Sequence, residues 1–403
     1  MAADPHKNSL GWLWVLMGAA LLNQATIYLV RPTTTYKLSG LGAGAEVVGL
    51  VAALFALLPL VIAMPLGAAV QRTRHVKLLL IVGSGLVSGG GAIVSAAPSV
   101  VVVGLGTAVL GLGHLVFTIT GQAMIARFTS DRDLDRGFGW FEAGYAVGQM
   151  AGPLLGGILI GSSGSGAGAP GDVDTALWIG TAIAVPALLL LLGLRTPSAP
   201  SAQPHSVVDA QSKQRAKPSV LRLLRTPGMP STLLASFAVV AVLDILAAFL
   251  PLLGEAVGAS PVLIGALLAV RAAATIVSRF LLPALRRAYS RNALVLASLW
   301  GSAVALVLPP LTLHLPAAAI AAMAVAGFFL GLGQPLTMSL VVQAVPPAWR
   351  SSALSLRLVA NRVGQVGVPL AAGAAAAPLG PAGAIWLSCV ILAAAGTERL
   401  FRR

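Results

Sequence analysis

Apolar residues run along this chain in long uninterrupted stretches, separated by short clusters of charge, glycine, proline and serine. Stretches of roughly 20 apolar residues bounded by turn and charge signals predict membrane-crossing α-helices. Twelve are predicted, at 10–31, 45–68, 76–96, 99–126, 137–160, 175–194, 230–253, 260–283, 292–314, 316–343, 351–376 and 381–398. The stretch 161–174, GSSGSGAGAPGDVD, reads as a flexible outer loop. Residues 195–228, rich in Ser, Pro, Gln and basic side chains, read as a linker between two six-helix halves, 1–194 and 229–403.

Composition agrees with this pattern. Of 403 residues, 57% are hydrophobic and only 9% charged, too few charges to cover a soluble protein of this size. The 45 glycines and 26 prolines fall within apolar runs, which membrane helices tolerate. A single cysteine, Cys389, excludes a disulfide framework and a thiolate metal cluster. The first apolar run is too long for a signal-peptide core, so span 1 is expected to persist.

The net charge of +14 raises the question of nucleic acid, and the placement of the charges answers it. Basic residues sit in separate clusters: Arg72, Arg74 and Lys77; Arg127, Arg132 and Arg136; Lys213 to Arg225; Arg286, Arg287 and Arg291; Arg399, Arg402 and Arg403. No single basic stripe interleaved with aromatics exists, so no nucleic-acid face is expected. The clusters follow even-numbered spans, while the opposite connections hold little beyond Arg31 and Lys37. Positive charge marks the cytoplasmic side, which places both termini there and the chain in the cell (inner) membrane.

The two halves echo each other. Val147-Gly148-Gln149, Pro153-Leu154 and Gly157 recur as Val363-Gly364-Gln365, Pro369-Leu370 and Gly373, all at an offset of 216 residues. Gly49 matches Gly265 at the same offset, and Gly111-Leu112-Gly113 matches Gly331-Leu332-Gly333 at 220, pairing His114 with Gln334.

Span 5 reads Gly144-Tyr-Ala-Val-Gly148-Gln-Met-Ala-Gly152-Pro153-Leu-Leu-Gly156-Gly157. Small residues four apart allow close helix packing, and Pro153 removes a backbone hydrogen bond and bends the helix. This run resembles the GxxxGPxxGG antiporter motif of drug:proton exporters in the major facilitator superfamily. The resemblance implies an all-α membrane protein whose twelve helices form two pseudo-symmetric six-helix bundles. It departs from the family pattern between spans 2 and 3, where Gly67 and Arg72 fit but Gln71 and Arg74 replace an acid and a glycine. Span 4 also lacks an arginine near its start, where Gly106 and Thr107 stand. Coupling must therefore be argued from this chain's own charges.

An ionisable group near mid-membrane costs about 2.5–3.5 kcal/mol on insertion scales, so each one calls for a partner or a function. Two acids fall within spans: Asp244 in span 7 and Glu142 in span 5. Asp244 and, in span 8, Arg271 both lie roughly 15 Å from the same end of a helical hairpin, so an ion pair is expected. Such a pair either locks the two helices or lets Asp244 exchange protons. In the resembled fold, span 5 meets span 8, which suggests a gating bridge from Glu142 to Arg279, with Arg72 and Arg357 as further gate candidates. Arg357 is expected to snorkel.

Span 11 carries a polar stripe of Arg357, Asn361, Arg362 and Gln365, with Arg362 within expected reach of Asp244 or an anionic substrate. Asn23, Gln24, Gln122, Tyr145 and Gln334 complete the cavity candidates, because spans 1, 4, 7 and 10 line the cavity of the resembled fold. His114 is a third proton-coupling candidate beside Asp244 and Glu142. Trp140, Phe141 and Tyr145 offer apolar contacts. No catalytic, metal or nucleotide motif is present in the sequence, so no cofactor or enzyme chemistry is expected.

The expectation is a monomeric transporter exporting small, largely apolar organic molecules in exchange for protons. The alternatives are an importer of a polar or anionic metabolite and a non-transporting membrane protein of the same fold.

Overall fold

The computed structural model describes residues 11–129, 134–161, 170–194, 219–346 and 349–401. Most of the predicted outer loop and linker, together with Arg132, Lys213, Arg215, Lys217, Arg402 and Arg403, lies outside the described residues. Among those described, all regular structure is helical. The first half holds α1 (Gly11–Gly40), α2 (Ala45–Arg72), α3 (Val76–Ser95), α4 (Val100–Phe128), α5 (Leu134–Gly161), α6 (Pro170–Ala182) and α7 (Ala184–Leu192). The second holds α8 (Val220–Leu224), α9 (Met229–Ala256), α10 (Pro261–Ala288), α11 (Arg291–Thr312), α12 (Pro316–Gln343), α13 (Arg350–Leu379) and α14 (Pro381–Phe401).

Eleven helical runs among the described residues are long and apolar enough to cross a membrane, with α6 and α7 joined as one. The predicted eleventh span stands apart from these. Its helix, α13, has 30 residues, and Arg350, Arg357, Asn361, Arg362 and Gln365 lower its hydropathy.

The largest departure from the predicted boundaries is at α1. Arg31, Pro32 and the three threonines after them read as a stop, yet the helix continues to Gly40. In lipid every backbone polar group needs an internal partner, so a helix ends only where it can leave the apolar phase. Thr33 and Thr34 donate their hydroxyls back to the carbonyls of Leu29 and Val30 at 2.8 and 2.7 Å, and the turn waits for Gly42, whose φ is 75°. Lys37, read as a loop residue, is therefore helical and only 8% exposed. Its Nζ donates to Ser95 O at 2.6 Å and to an Asp174 carboxylate oxygen at 2.9 Å, tying α1 to α3 and α6.

The sixth span divides at Ile183, because Pro186 in the first turn of α7 has no N–H to offer Ala182. The arginine cluster after the fourth span also has a structural use: Arg127, in the last turn of α4, donates to the carbonyls of Thr73 and Val70, covering the C-terminal end of α2. Within the predicted linker, α8 was not foreseen. Ser219 caps it by accepting from the Arg222 N–H, and Leu223 buries itself among Met229, Leu233, Val341 and Ala353.

The chain forms two compact units. Unit 1 comprises α1, α2 from Leu54 onward, α3 to α7, and Ser260–Ala269 at the start of α10. Unit 2 comprises Gly44–Ala53 at the start of α2, the rest of α10, and the remaining helices.

Glycine-to-backbone contacts set how closely the helices in each unit approach. In unit 1 a Cβ on Gly148 would lie 2.5 Å from Leu21 O, and one on Gly152 2.5 Å from Ala25 O, so α5 lies directly on α1. Pro153 and Gly157 occupy a different face of α5 and receive Gly265. In unit 2, Pro369 and Gly373 receive Gly49 in the same way. The matched glycines of the repeat are thus the two members of equivalent crossings.

The same contacts correct the register of α4 against α12. Gly111 closes on the backbone of Phe55, and Gly327 closes on the backbone of Arg271. Both differences are 216, so the packing equivalence is 216 and not 220. Thr118, rather than His114, is the counterpart of Gln334.

Candidate functional site in each unit

In unit 1 the polar and aromatic side chains of α1, α2, α4 and α5 build a column of π systems. The Arg31 guanidinium lies 4.2 Å from the Phe55 ring centroid. Phe55 stacks on His114 at 5.9 Å, and His114 meets Tyr145 at 6.0 Å. Tyr145 contacts Phe141 at 4.7 Å, and Phe141 stacks on Phe117 at 6.3 Å. The column is anchored where the Tyr145 hydroxyl and Thr118 Oγ1 are 2.7 Å apart, while Thr118 also donates to the carbonyl of His114. Arg31 and Phe55 escaped the sequence reading. The signal available was an arginine one helical turn past Tyr28, hidden because α1 was expected to stop there.

The other unit 1 candidates divide between packing and surface. Asn23 donates to Ala19 O at 2.9 Å and accepts from Ser84 at 3.0 Å, tying α1 to α3. Gln24 is buried where Gly148 crosses α1, and its Oε1 has no hydrogen-bond partner among the described residues. Gln122 and Glu142 are exposed, as is Arg72. Trp140 turns to Trp14, with ring centroids 4.8 Å apart, whereas Phe141 is fully buried.

In unit 2 the corresponding region is polar. Asp244 in α9 and Arg271 in α10 are each only 3% exposed. Gln365 in α13 links two charged side chains: its Nε2 donates to Asp244 Oδ2 at 2.9 Å, and its Oε1 accepts from Arg362 Nη1 at 3.0 Å. An amide serves a carboxylate with its N–H and a guanidinium with its C=O at once. Arg362 therefore reaches Asp244 through Gln365. One turn away, Asn361 Oδ1 accepts from Ser236 at 2.9 Å, which fixes α13 against α9.

Arg357 does not snorkel: it is 7% exposed. One of its terminal nitrogens donates to the carbonyl of Gln334 at 3.2 Å and lies 3.5 Å from Thr337 Oγ1, so it ties α13 to α12. A guanidinium with carbonyl and hydroxyl acceptors close at hand need not extend to water. Gln334 is half-buried, and Arg279 is exposed on α10.

The family model for the Major Facilitator Superfamily matches residues 16–285 and 232–402. No curated protein matches the chain. Among solved structures, a bacterial homologue of the human lysosomal transporter Spinster, in an inward-facing and unoccupied conformation, has a TM-score of 0.78 at 17% identity. The alignment covers 100% of this chain and 98% of that one. The nucleoside transporter NupG has a TM-score of 0.72 at 14% identity, covering 97% and 99% of the two chains. A POT family transporter in complex with a thioalcohol-conjugated peptide also has a TM-score of 0.72, at 13% identity, covering 96% and 95%.

Proposed function

The chain belongs to the major facilitator superfamily, and on that premise we propose that it is a proton-coupled secondary transporter that exports small, largely apolar organic molecules by alternating access. One observation carries the reading. Asp244, buried in a transmembrane helix, accepts a hydrogen bond from an amide whose other end is held by an arginine. A carboxylate accepts that bond well, and a carboxylic acid accepts it poorly. Taking up a proton at Asp244 weakens the bond to Gln365 and releases the Gln365–Arg362 pair; giving up the proton restores the chain. Arg271 is assigned as the ion-pair partner of Asp244, at matching depth on the next helix. Protonation thereby removes an ion pair and a hydrogen bond together, which biases helices α9, α10 and α13 between two arrangements.

The aromatic column of unit 1 supports the apolar character of the substrate. Phe55 and Tyr145 are buried, so their rings, with that of His114, would meet a ligand when the bundle opens, and Thr118 and the Tyr145 hydroxyl would supply the polar contacts that orient it. His114 is kept as a secondary proton carrier. We place both termini on the cytoplasmic side of the cell membrane, by the distribution of arginine and lysine, and assign the transporting unit as a monomer.

The test is transport in proteoliposomes. Asp244→Asn is expected to lose accumulation driven by a pH gradient while keeping solute counterflow, because the amide preserves shape but carries no titrating proton. Gradient-driven accumulation at the wild-type level would overturn the coupling role.

One observation favours a second reading. Arg31, half-buried over Phe55, and Arg362, half-buried beside Gln365, are cations that suit an anionic solute. Uptake of carboxylated solutes into cells, set against a drug-resistance assay, separates import of an anion from export of apolar compounds.

A further inference from the structure

A cavity of about 310 Å³ with a mixed lining opens in unit 2 where the N-terminal ends of α9 and α11 meet the C-terminal end of α14. It is lined by Gly228, Ser231 and Thr232 of α9, Asn292 of α11, Gln343 of α12 and Arg399 of α14, with a few apolar neighbours. Thr232 and Asp244 are twelve positions apart on α9, which puts the cavity about 18 Å from the proton site.

Four features of this cavity share one sign. Arg399 is only 9% exposed, and its guanidinium donates to Asn292 Oδ1 at 2.7 Å and to Thr232 Oγ1 at 3.3 Å. Helix α9, with 28 residues, begins at Gly228 with no side-chain cap, so the positive end of its dipole faces the cavity; the Met229 N–H is taken by the carbonyl of Thr226 and Pro230 has none, which leaves the Ser231 N–H in the first turn. Ser231 is 3% exposed, and its Oγ has no hydrogen-bond partner among the described residues. Gln343 at the rim accepts from Arg291 at 2.6 Å, bringing a second guanidinium to the cavity edge. No acidic residue lines the cavity among the described residues.

A buried cation, an uncapped helix N-terminus and an orphan hydroxyl, held together by neutral amide and hydroxyl groups, make a binding set for an oxyanion. The volume is several times that of a single water, so a compact anionic group fits. We propose that this cavity binds a phosphate group, supplied by a lipid headgroup or by a soluble phosphate. Arg399 would make the charged contact, Ser231 would donate its hydroxyl and its N–H, and the start of α9 would add the positive end of its dipole. The bound phosphate would clamp the ends of α9, α11 and α14, and so would set how easily the helix that carries Asp244 moves.

The test uses the full-length protein in neutral detergent, with thermal unfolding followed in the presence of inorganic phosphate, short-chain phosphatidylglycerol or short-chain phosphatidylcholine, and with chloride at matched ionic strength. The wild type should gain about 3 °C with a phosphate-bearing probe and nothing with chloride. Arg399→Gln should lose the gain. Ser231→Asp places a carboxylate in the cavity as a built-in substitute for the ligand; it should stabilise the free protein and no longer respond. A response to inorganic phosphate identifies a soluble source, and a response to phosphatidylglycerol alone identifies the lipid headgroup. Equal shifts in wild type and both variants, or no shift with any probe, overturn the proposal.

Discussion

At positions related by the 216-residue repeat, the two units share their packing but not their chemistry. The crossings that set helix spacing are the same in both: Gly49 rests on Pro369 and Gly373, and Gly265 rests on Pro153 and Gly157. The residues beside those crossings differ. Asp244, Arg271, Arg362 and Arg357 in unit 2 stand where unit 1 has Tyr28, Phe55, Ala146 and Phe141. Conversely, Arg31, His114 and Glu142 in unit 1 correspond to Ala247, Leu330 and Leu358 in unit 2. Backbone-to-backbone contact admits only the smallest side chains, so the skeleton has been kept. The neighbouring positions carry no such constraint, and they have become a hydrogen-bonded chain of charges in one unit and a stack of rings in the other. The contrast divides the labour proposed above, with the main proton site assigned to unit 2 and apolar contact, with His114 as a secondary proton carrier, to unit 1.

The comparison can be broken first at its shared element. Gly49→Leu and Gly265→Leu should each drive a side chain into an opposing backbone and cost about 3 kcal/mol, by equal amounts in the two units. Gly139→Leu, where a Cβ meets nothing within 4 Å, is the control expected to cost nothing. Folded yield after extraction, read by size-exclusion of a fluorescent fusion, measures all three. A large effect at only one of the two crossings would mean that the equivalence is sequence likeness without structural likeness.

The next effect sharpens the chemical difference. Gln365→Leu removes both the bond to Asp244 and the bond to Arg362; the bond to Asp244, the one proposed to follow its protonation, is worth about 1.5 kcal/mol, so gradient-driven transport should fall roughly tenfold. Gln149→Leu, its repeat counterpart, should leave the rate near wild type. Equal losses in the two variants would remove the functional asymmetry.

The smallest effect tests the ring column. Tyr145→Phe removes the bond to Thr118 and keeps the ring, so about 1 kcal/mol of positioning should be lost, and substrate affinity should weaken about fivefold with little change in maximal rate. A change in maximal rate alone would move Tyr145 from substrate contact to the conformational cycle.

Much of the site was legible as a set of residues and little of it as a set of contacts. Asp244, Arg271, Arg362 and Gln365 stood out because ionisable and amide groups are rare in apolar spans. What could not be read was that Gln365 lies between Arg362 and Asp244, since which two groups an amide serves depends on how three helices are rotated about their own axes. Asn23 and Gln24 looked identical in sequence terms to cavity residues. One holds Ser84 on α3, and the other lies under Gly148 on α5. Arg31 and Lys37 were assigned to a loop because Pro32 and three threonines imitate a helix end in water; in lipid the helix continues, and both cations belong to it.

By itself the sequence determined that this chain is a bundle of membrane helices in two related halves, and that Asp244, Arg271 and Arg362 lie within its apolar spans. Those properties follow from run length and composition, which the bilayer reads one segment at a time. Only the tertiary structure decided which polar groups meet. Helix rotation is set by glycine-to-backbone contacts between residues far apart in the chain, such as Gly327 against Arg271 and Gly148 against Leu21, and no local pattern of hydropathy encodes those pairings.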